Sequence, residues 1–136
     1  MDELAIKFLK TYQVWHHRRL ILQLTQKPAP ELTFIATSLK ADAKNYHTWS
    51  HRQWVLAFFN EEDLWLRELD FVESMLVQDV RNNSAWHHRF FVVFQSGVRD
   101  GDRDRERVVR RELTCVFFGC SLSFLSANVA VGWPGT

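Results

Sequence analysis

The stretch "NYHTWSHRQWVL", residues 45–56, packs two tryptophans, two histidines and an arginine into twelve positions. Such a cluster suits a metal site, a surface that stacks bases, a catalytic centre or a packing device. Two other stretches align with it without gaps: "TYQVWHHRRLIL" at 11–22 and "NNSAWHHRFFVV" at 82–93. Their tryptophans, Trp15, Trp49 and Trp86, are spaced by 34 and then 37 residues. Each is followed at the second position by histidine (His17, His51, His88), at the third by arginine (Arg18, Arg52, Arg89), and then by an apolar run. Self-similarity at this period is the mark of a stacked helical array.

The residue four before each tryptophan is Thr11, Asn45 or Asn82, all side chains that cap helix starts by accepting a bond from an unpaired N–H. Each copy therefore predicts a cap and a helix of roughly 12–15 residues. The segments before the later copies carry helical spacing too: Leu32, Ile35, Ala36 and Leu39, then Leu69, Val72, Met75 and Leu76. Breakers between them ("KPAP" at 27–30, "NEED" at 60–63, "SGVRDGD" at 96–102) predict loops. The expected fold is all-α: an α–α superhelix, a solenoid of antiparallel helical hairpins in which each hairpin completes its core against a neighbour. Three domains of the chain are expected. Residues 1–9 form a divergent leader helix, 10–112 the hairpin repeats with the start of a further helix at "DRERVVRREL", and 113–136 an apolar tail.

On this fold the tryptophans are packing residues. Trp15, Arg18, Arg19 and Leu22 share a helix face, as do Trp49, Arg52, Gln53 and Leu56. The arginine stems are expected to lie along the indoles, with Asp42 and Asp79 as candidate partners for their guanidinium groups. The arithmetic of the whole chain removes several rivals. Seventeen basic and sixteen acidic residues leave a net charge of +1, which speaks against nucleic acid or an acidic membrane as partner. His47 and His51 have the spacing of two zinc ligands on one helix, but no third ligand is near in sequence, so no metal site is expected. Two cysteines, Cys115 and Cys120, make no disulfide framework and fit a reduced, cytoplasmic setting. The start, "MDELAIKFLK", lacks the apolar core of a signal peptide. The tail 113–136 is uncharged and its 24 residues reach transmembrane length, but glycines, serines and Asn128 dilute it and a membrane role is not expected.

The position five before each tryptophan holds Lys10, Lys44 or Arg81, each just ahead of a helix start. There unpaired amides and the macrodipole favour an anion, so the three predict a basic rim suited to a diphosphate.

The motif N-Y-x-x-W-x-H-R at this spacing resembles the α subunits of the protein prenyltransferases. The strings "DAKNYHTWSHRQWV" and "QDVRNNSAW" resemble the α subunit shared by protein farnesyltransferase and type I geranylgeranyltransferase more than that of the Rab-specific enzyme. The likeness covers about residues 10–95. It implies a heterodimer with a β subunit that transfers farnesyl or geranylgeranyl from its diphosphate to the cysteine of a C-terminal CaaX sequence. It also implies that zinc, with magnesium, belongs to the β subunit or the substrate, and that this chain binds no cofactor itself. The family turn K-N-Y-Q is matched by Lys10-Thr11-Tyr12-Gln13. By resemblance Lys10 and Tyr46 have catalytic roles on the diphosphate, and Tyr12, Gln13, Asn45 and His47 are substrate-binding. Trp15, Arg18, Trp49, Arg52, Trp86 and Arg89 are the structural repeat residues. The alternative is a helical-repeat adaptor that binds protein without catalysis.

The leader departs from the later register: Phe8 falls where they have Asp42 and Asp79. After Glu112 the pattern dissolves, as expected of an alternative or retained-intron end. The isolated chain is therefore expected to be poorly stable and catalytically silent alone.

Overall fold

The computed structural model describes Glu3, Lys7, Phe8, residues 10–95 and residues 109–114. Most of the leader 1–9, the loop 96–102, both cysteines and most of the tail 113–136 lie outside the described residues. Among the described residues there is no strand. Five helices follow in order: α1 (Tyr12–Thr25), α2 (Pro28–Ala41), α3 (Tyr46–Phe59), α4 (Glu62–Gln78) and α5 (Asn83–Gln95). Residues 109–114 are also helical. The chain divides into two compact units, Met1–Trp65 and Leu66–Thr136.

The starts of α3 and α5 are built alike. Asn45 Oδ1 accepts from the amides of His47 (3.0 Å) and Thr48 (3.3 Å), and Asn82 Oδ1 accepts from those of Ser84 (3.0 Å) and Ala85 (3.2 Å). Each thus satisfies two of the amides that a helix start leaves unpaired. The turn before each start is closed by an aspartate: Asp42 Oδ1 accepts from the Lys44 amide, and Asp79 Oδ1 from the Arg81 amide. Asp42 and Asp79, expected as arginine partners, are therefore turn residues. An aspartate two residues ahead of an N–H closes a local ring more readily than it reaches a distant guanidinium. The first copy keeps this backbone, with Thr11 N–H donating to Phe8 O at 2.9 Å as Asn45 N–H donates to Asp42 O at 3.2 Å. Phe8 cannot supply the aspartate's bond, and the Thr11 side chain makes no capping bond.

Two predicted loops are shorter than the breakers suggested. Helix α2 begins at Pro28 itself and α4 at Glu62. Proline in the first turn removes an amide that has no helical partner anyway, and acidic residues there complement the macrodipole. Helices α1 and α3 end on left-handed residues, Gln26 (φ 54°) and Asn60 (φ 48°), each donating its amide back to the fourth residue before it. Asn60 is the apter choice, since asparagine tolerates this conformation. Its side chain also accepts from Trp65 Nε1 at 2.9 Å.

In the first unit the apolar stripes meet at Ile35, Leu39, Val55 and Leu56, all fully buried, with Trp15, Leu22 and Trp49 beside them. Burying each aliphatic side chain is worth about 1.5–3 kcal/mol. Leu32 and Ala36, on the margin of the α2 stripe, are half-buried. In the second unit Val72, Met75 and Leu76 of α4 are buried, as are Ala85, Val92 and Val93 of α5.

The capping pattern sets a measurable contrast. Thr11→Asn supplies the missing acceptor at the start of α1 and is expected to raise unfolding free energy by up to about 1 kcal/mol, while Asn45→Ala lowers it by about 1 kcal/mol. Urea unfolding followed by far-ultraviolet circular dichroism checks both; equal midpoints for Thr11→Asn and the parent would contradict the reading of the first copy.

Candidate functional site

The W-x-H-R side chains lie where the helices meet the turns that enter them and one another. The Trp49 indole N–H donates to Ala43 O at 2.9 Å, and that of Trp86 donates to Val80 O at 2.7 Å, each six residues back in the preceding turn. Each indole thereby ties its helix to the chain that enters it. Trp15 and Trp49 are buried; Trp86 is half-buried. Arg18, Arg52 and Arg89 are buried as well. Arg52 donates to Leu32 O at 3.1 Å. In the second unit Arg89 grips both oxygens of Glu112, at 2.6 and 2.8 Å, and reaches Glu73 at 3.3 Å. That fork fixes the helical residues 109–114 against α5, with two parallel bonds of the geometry guanidinium favours.

The histidine of the motif was the residue whose role the sequence left blank. His51 and His88 are fully buried. His51 Nε2 lies 2.8 Å from Glu31 Oε1, and His88 Nε2 lies 2.6 Å from Glu68 Oε1, each partner standing twenty residues earlier. The same Glu31 accepts from Arg18 Nε at 2.8 Å and Arg18 Nη2 at 2.7 Å. One carboxylate of α2 therefore holds Arg18 of α1 and His51 of α3. Arg18 in turn lies over the Phe34 ring at 3.8 Å. Burial, the largest influence, works to raise the Glu31 carboxyl, but the bonds from His51 and Arg18 with their charges outweigh it and hold its pKa below 4.5. Burial is also the largest influence on His51 and lowers its pKa below 6.5, against the pull of Glu31 and with help from Arg19 and Arg18. The pair is thus a neutral imidazole donating from Nε2 to a carboxylate, with Nδ1 as the unprotonated nitrogen. With Nε2 so engaged, His51 does not serve as a zinc ligand beside His47. Among the described residues there is no group of three or more His, Cys, Asp or Glu that could hold a metal.

Helices α1 and α3 run side by side in the same direction. Trp15 meets His51 with ring centroids 5.0 Å apart, and one turn on Arg19 lies over Trp54 at 5.2 Å, so both helices advance together. Their starts consequently open at the same end of the first unit. Tyr12 and Tyr46, the first residues of the two helices, are 65% and 76% exposed there. Lys10, Gln13 and Lys44 are exposed and His47 is half-buried. Tyr12 stacks on His16, and Tyr46 meets His47 edge to face. Asn45 differs from the rest: it is buried, with its oxygen committed to the α3 cap, so it shapes this end instead of facing outward. Arg81 is exposed at the corresponding turn of the second unit.

The second unit also presents an apolar groove of about 380 Å³ lined by Trp86, Phe90, Val93, Phe94, Val109 and Leu113. Among the described residues no helix is long and apolar enough to cross a membrane.

Comparison with known proteins gives one family. The model for the protein prenyltransferase alpha subunit repeat matches residues 1–25, 29–59 and 65–96, the first match taking in the leader. The relatives include the geranylgeranyl transferase type-2 subunit alpha of Rattus norvegicus and of Mus musculus, each 42% identical over 50 residues. That of Bos taurus is 40% identical over the same length. The match takes in 35% of this chain and spans 9% of the length of those relatives.

The Glu31 centre carries two expectations for stability. Glu31→Ala takes the carboxylate away from a buried guanidinium and a buried imidazole and is expected to cost about 3 kcal/mol, read from urea unfolding at neutral pH. Acid should act in the same direction. Both depressed groups take up protons in the unfolded chain first: His51 as pH falls through 6.5, Glu31 as it falls through 4.5. Their contribution is complete above those values and lost progressively below them. Urea midpoints taken from pH 8 downwards should therefore decline; in Glu31→Gln, where His51 loses the carboxylate that raises its pKa, the decline through the histidine range should be steeper and the further decline through the carboxylate range smaller.

Proposed function

The chain belongs to the protein prenyltransferase alpha subunit repeat family, and from that premise we propose that it acts as the α-type subunit, or part of one, of a heterodimeric CaaX protein prenyltransferase. The observation that carries the reading is the shared end of α1 and α3, where Lys10, Tyr12, Gln13, Tyr46 and His47 stand at two adjacent helix starts. Such an end suits a diphosphate held by another polypeptide. Helix starts present amides and a positive dipole, and a lysine ammonium adds a full charge. In this proposal Lys10 offsets the charge that develops on the leaving diphosphate, a contribution that grows in the transition state. Tyr46 donates a hydrogen bond from its hydroxyl to a phosphate oxygen. Gln13, with Tyr12 and His47, orients the peptide by hydrogen bonding and shape. Asn45 contributes by holding Tyr46 and His47 at the head of α3.

The described residues do not fit a catalytic zinc, so that metal, and magnesium with it, belongs on this proposal to the β subunit or to the substrate. The setting is cytoplasmic, and the isoprenoid, farnesyl or geranylgeranyl, is selected by the partner. The CaaX class is supported by the strings "DAKNYHTWSHRQWV" and "QDVRNNSAW". A second reading, a subunit of a geranylgeranyl transferase type-2 assembly, is favoured by the relatives of that name.

Co-expression with β subunits of the CaaX and type-2 classes, followed by transfer assays on a CaaX peptide, tests the proposal. The expected outcome is a 1:1 complex with a CaaX-class β subunit that transfers the isoprenoid, while the chain alone does not. Lys10→Ala in that complex should slow transfer by about 10²-fold without weakening subunit pairing. Pairing with the type-2 β subunit alone assigns the second reading. Failure to pair with any β subunit leaves a non-catalytic helical-repeat adaptor, and equal rates for Lys10→Ala remove Lys10 from the mechanism.

A further inference from the structure

We infer that Glu31 is a positioning residue which sets the axial register of α1 against α3, and hence the spacing of Lys10, Tyr12 and Gln13 from Tyr46 and His47. The inference rests on the proposed function for its catalytic consequence, but the geometry stands on its own.

Three observations carry it. Glu31 belongs to neither of the helices whose starts form the shared end; it is in the first turn of α2. Its carboxylate nevertheless bonds one side chain from each: Arg18, by two N–H groups at 2.8 and 2.7 Å, and His51 at 2.8 Å. Both held side chains are buried, Arg18 at 7% exposure and His51 at 0%. A slide of α1 along α3 by one residue, about 1.5 Å, stretches or misaligns at least one arm. The two ring contacts between these helices do not have this selectivity. Trp15 against His51 and Arg19 over Trp54 are ring contacts at 5.0 and 5.2 Å, and such contacts tolerate offsets of this size. A planar guanidinium gripping a carboxylate by two parallel bonds does not.

The placement matters for the shared end. Arg18 lies six residues from the first residue of α1, and His51 five from the first residue of α3. Each helix is rigid over such a length, so register fixed at Arg18 and His51 is register fixed at Tyr12 and Tyr46. A diphosphate and a peptide shared between two helix starts need this constancy, because small misplacements of reacting groups carry large losses in rate.

The test uses the full chain with Cys115 and Cys120 replaced by serine and spin labels at two exposed positions away from the shared end, His17→Cys on α1 and Ala57→Cys on α3. Pulsed electron resonance then gives the distance distribution between the helices. A single narrow distribution is expected with Glu31 intact and one at least about twofold broader, or displaced, in Glu31→Gln. Glu73→Gln, which removes a carboxylate bonded to Arg89 and Arg111 in the second unit, should leave it unchanged. If Glu31→Gln loses helicity outright, Arg18→Met and His51→Leu, each cutting one arm, replace it with the same expectation. An unaltered distribution in the Glu31 or single-arm variants overturns the inference, and so does equal broadening by Glu73→Gln. In an active heterodimer, Glu31→Gln should lower kcat/KM for the CaaX peptide by about tenfold while subunit affinity holds, and an unchanged kcat/KM also overturns it. A heterodimer inactive with Glu31 intact counts against the proposed function and leaves the distance measurement to decide the register.

Discussion

A half-buried carboxylate held between two buried donors on different helices is the constraint on which the first unit depends. Apolar burial drives α1, α2 and α3 together, but Ile35, Leu39, Val55 and Leu56 pack through surfaces that permit sliding. Hydrogen bonds permit much less. Glu31 answers Arg18 and His51 at once, so three helices share one fixed point. The charge arithmetic is consistent. A neutral imidazole and a single guanidinium face a single carboxylate, which leaves no net charge in a place where an unpaired one is costly. The bond between His88 and Glu68 repeats that between His51 and Glu31 in the second unit, where Arg89 bonds Glu112 and Glu73.

The elements of the fold that sequence made legible are those set by short-range chemistry. Asn45 and Asn82 cap because their oxygens lie two and three residues from the amides they accept from. The tryptophans and arginines were recognisable as packing residues because they recur on the apolar stripe. The carboxylate partners were not. Glu31 and Glu68 stand twenty residues before the histidines they bond, across a hairpin whose two arms must already be folded for the pairing to exist. The signal was nonetheless present: glutamate twenty residues ahead of the motif histidine occurs in both copies whose preceding helix is in view, and it can be found by searching hairpin partners instead of helix neighbours. The misreading of Asp42 and Asp79 has the same root. Proximity in sequence to the tryptophan suggested a tie to arginine, whereas a nearer amide claimed each side chain.

The candidate site was legible to a smaller degree. The basic positions were identified from recurrence and the tyrosines from the family resemblance, and all of them are exposed. That Tyr12 and Tyr46 open at one end could not be read from periodicity, since it depends on α1 and α3 running parallel with α2 between them. Asn45 shows the limit of reading one residue of a motif like its neighbours: it precedes Tyr46 yet points inward, because the first amides of α3 require its oxygen. Family membership and local geometry thus bear on different matters. The repeats account for the scaffold, whereas the chemistry proposed for this chain rests on a few exposed side chains at helix starts.

The turn–cap–indole assembly of the second and third copies is the same set of bonds displaced by one interval. Asp42, Asn45 and Trp49 become Asp79, Asn82 and Trp86, and their acceptors Ala43 and Val80 move by the same amount. Every bond of this set closes within a few residues of its own indole. Gene duplication or deletion with breakpoints inside a helix that precedes Asp42 or Asp79 would therefore transmit the set whole, whereas a crossover between the aspartate and the tryptophan would sever it. Arrays built this way can lengthen or shorten by inheritance without redesigning their joints, and the copy that begins at Phe8 shows the joint with its aspartate replaced.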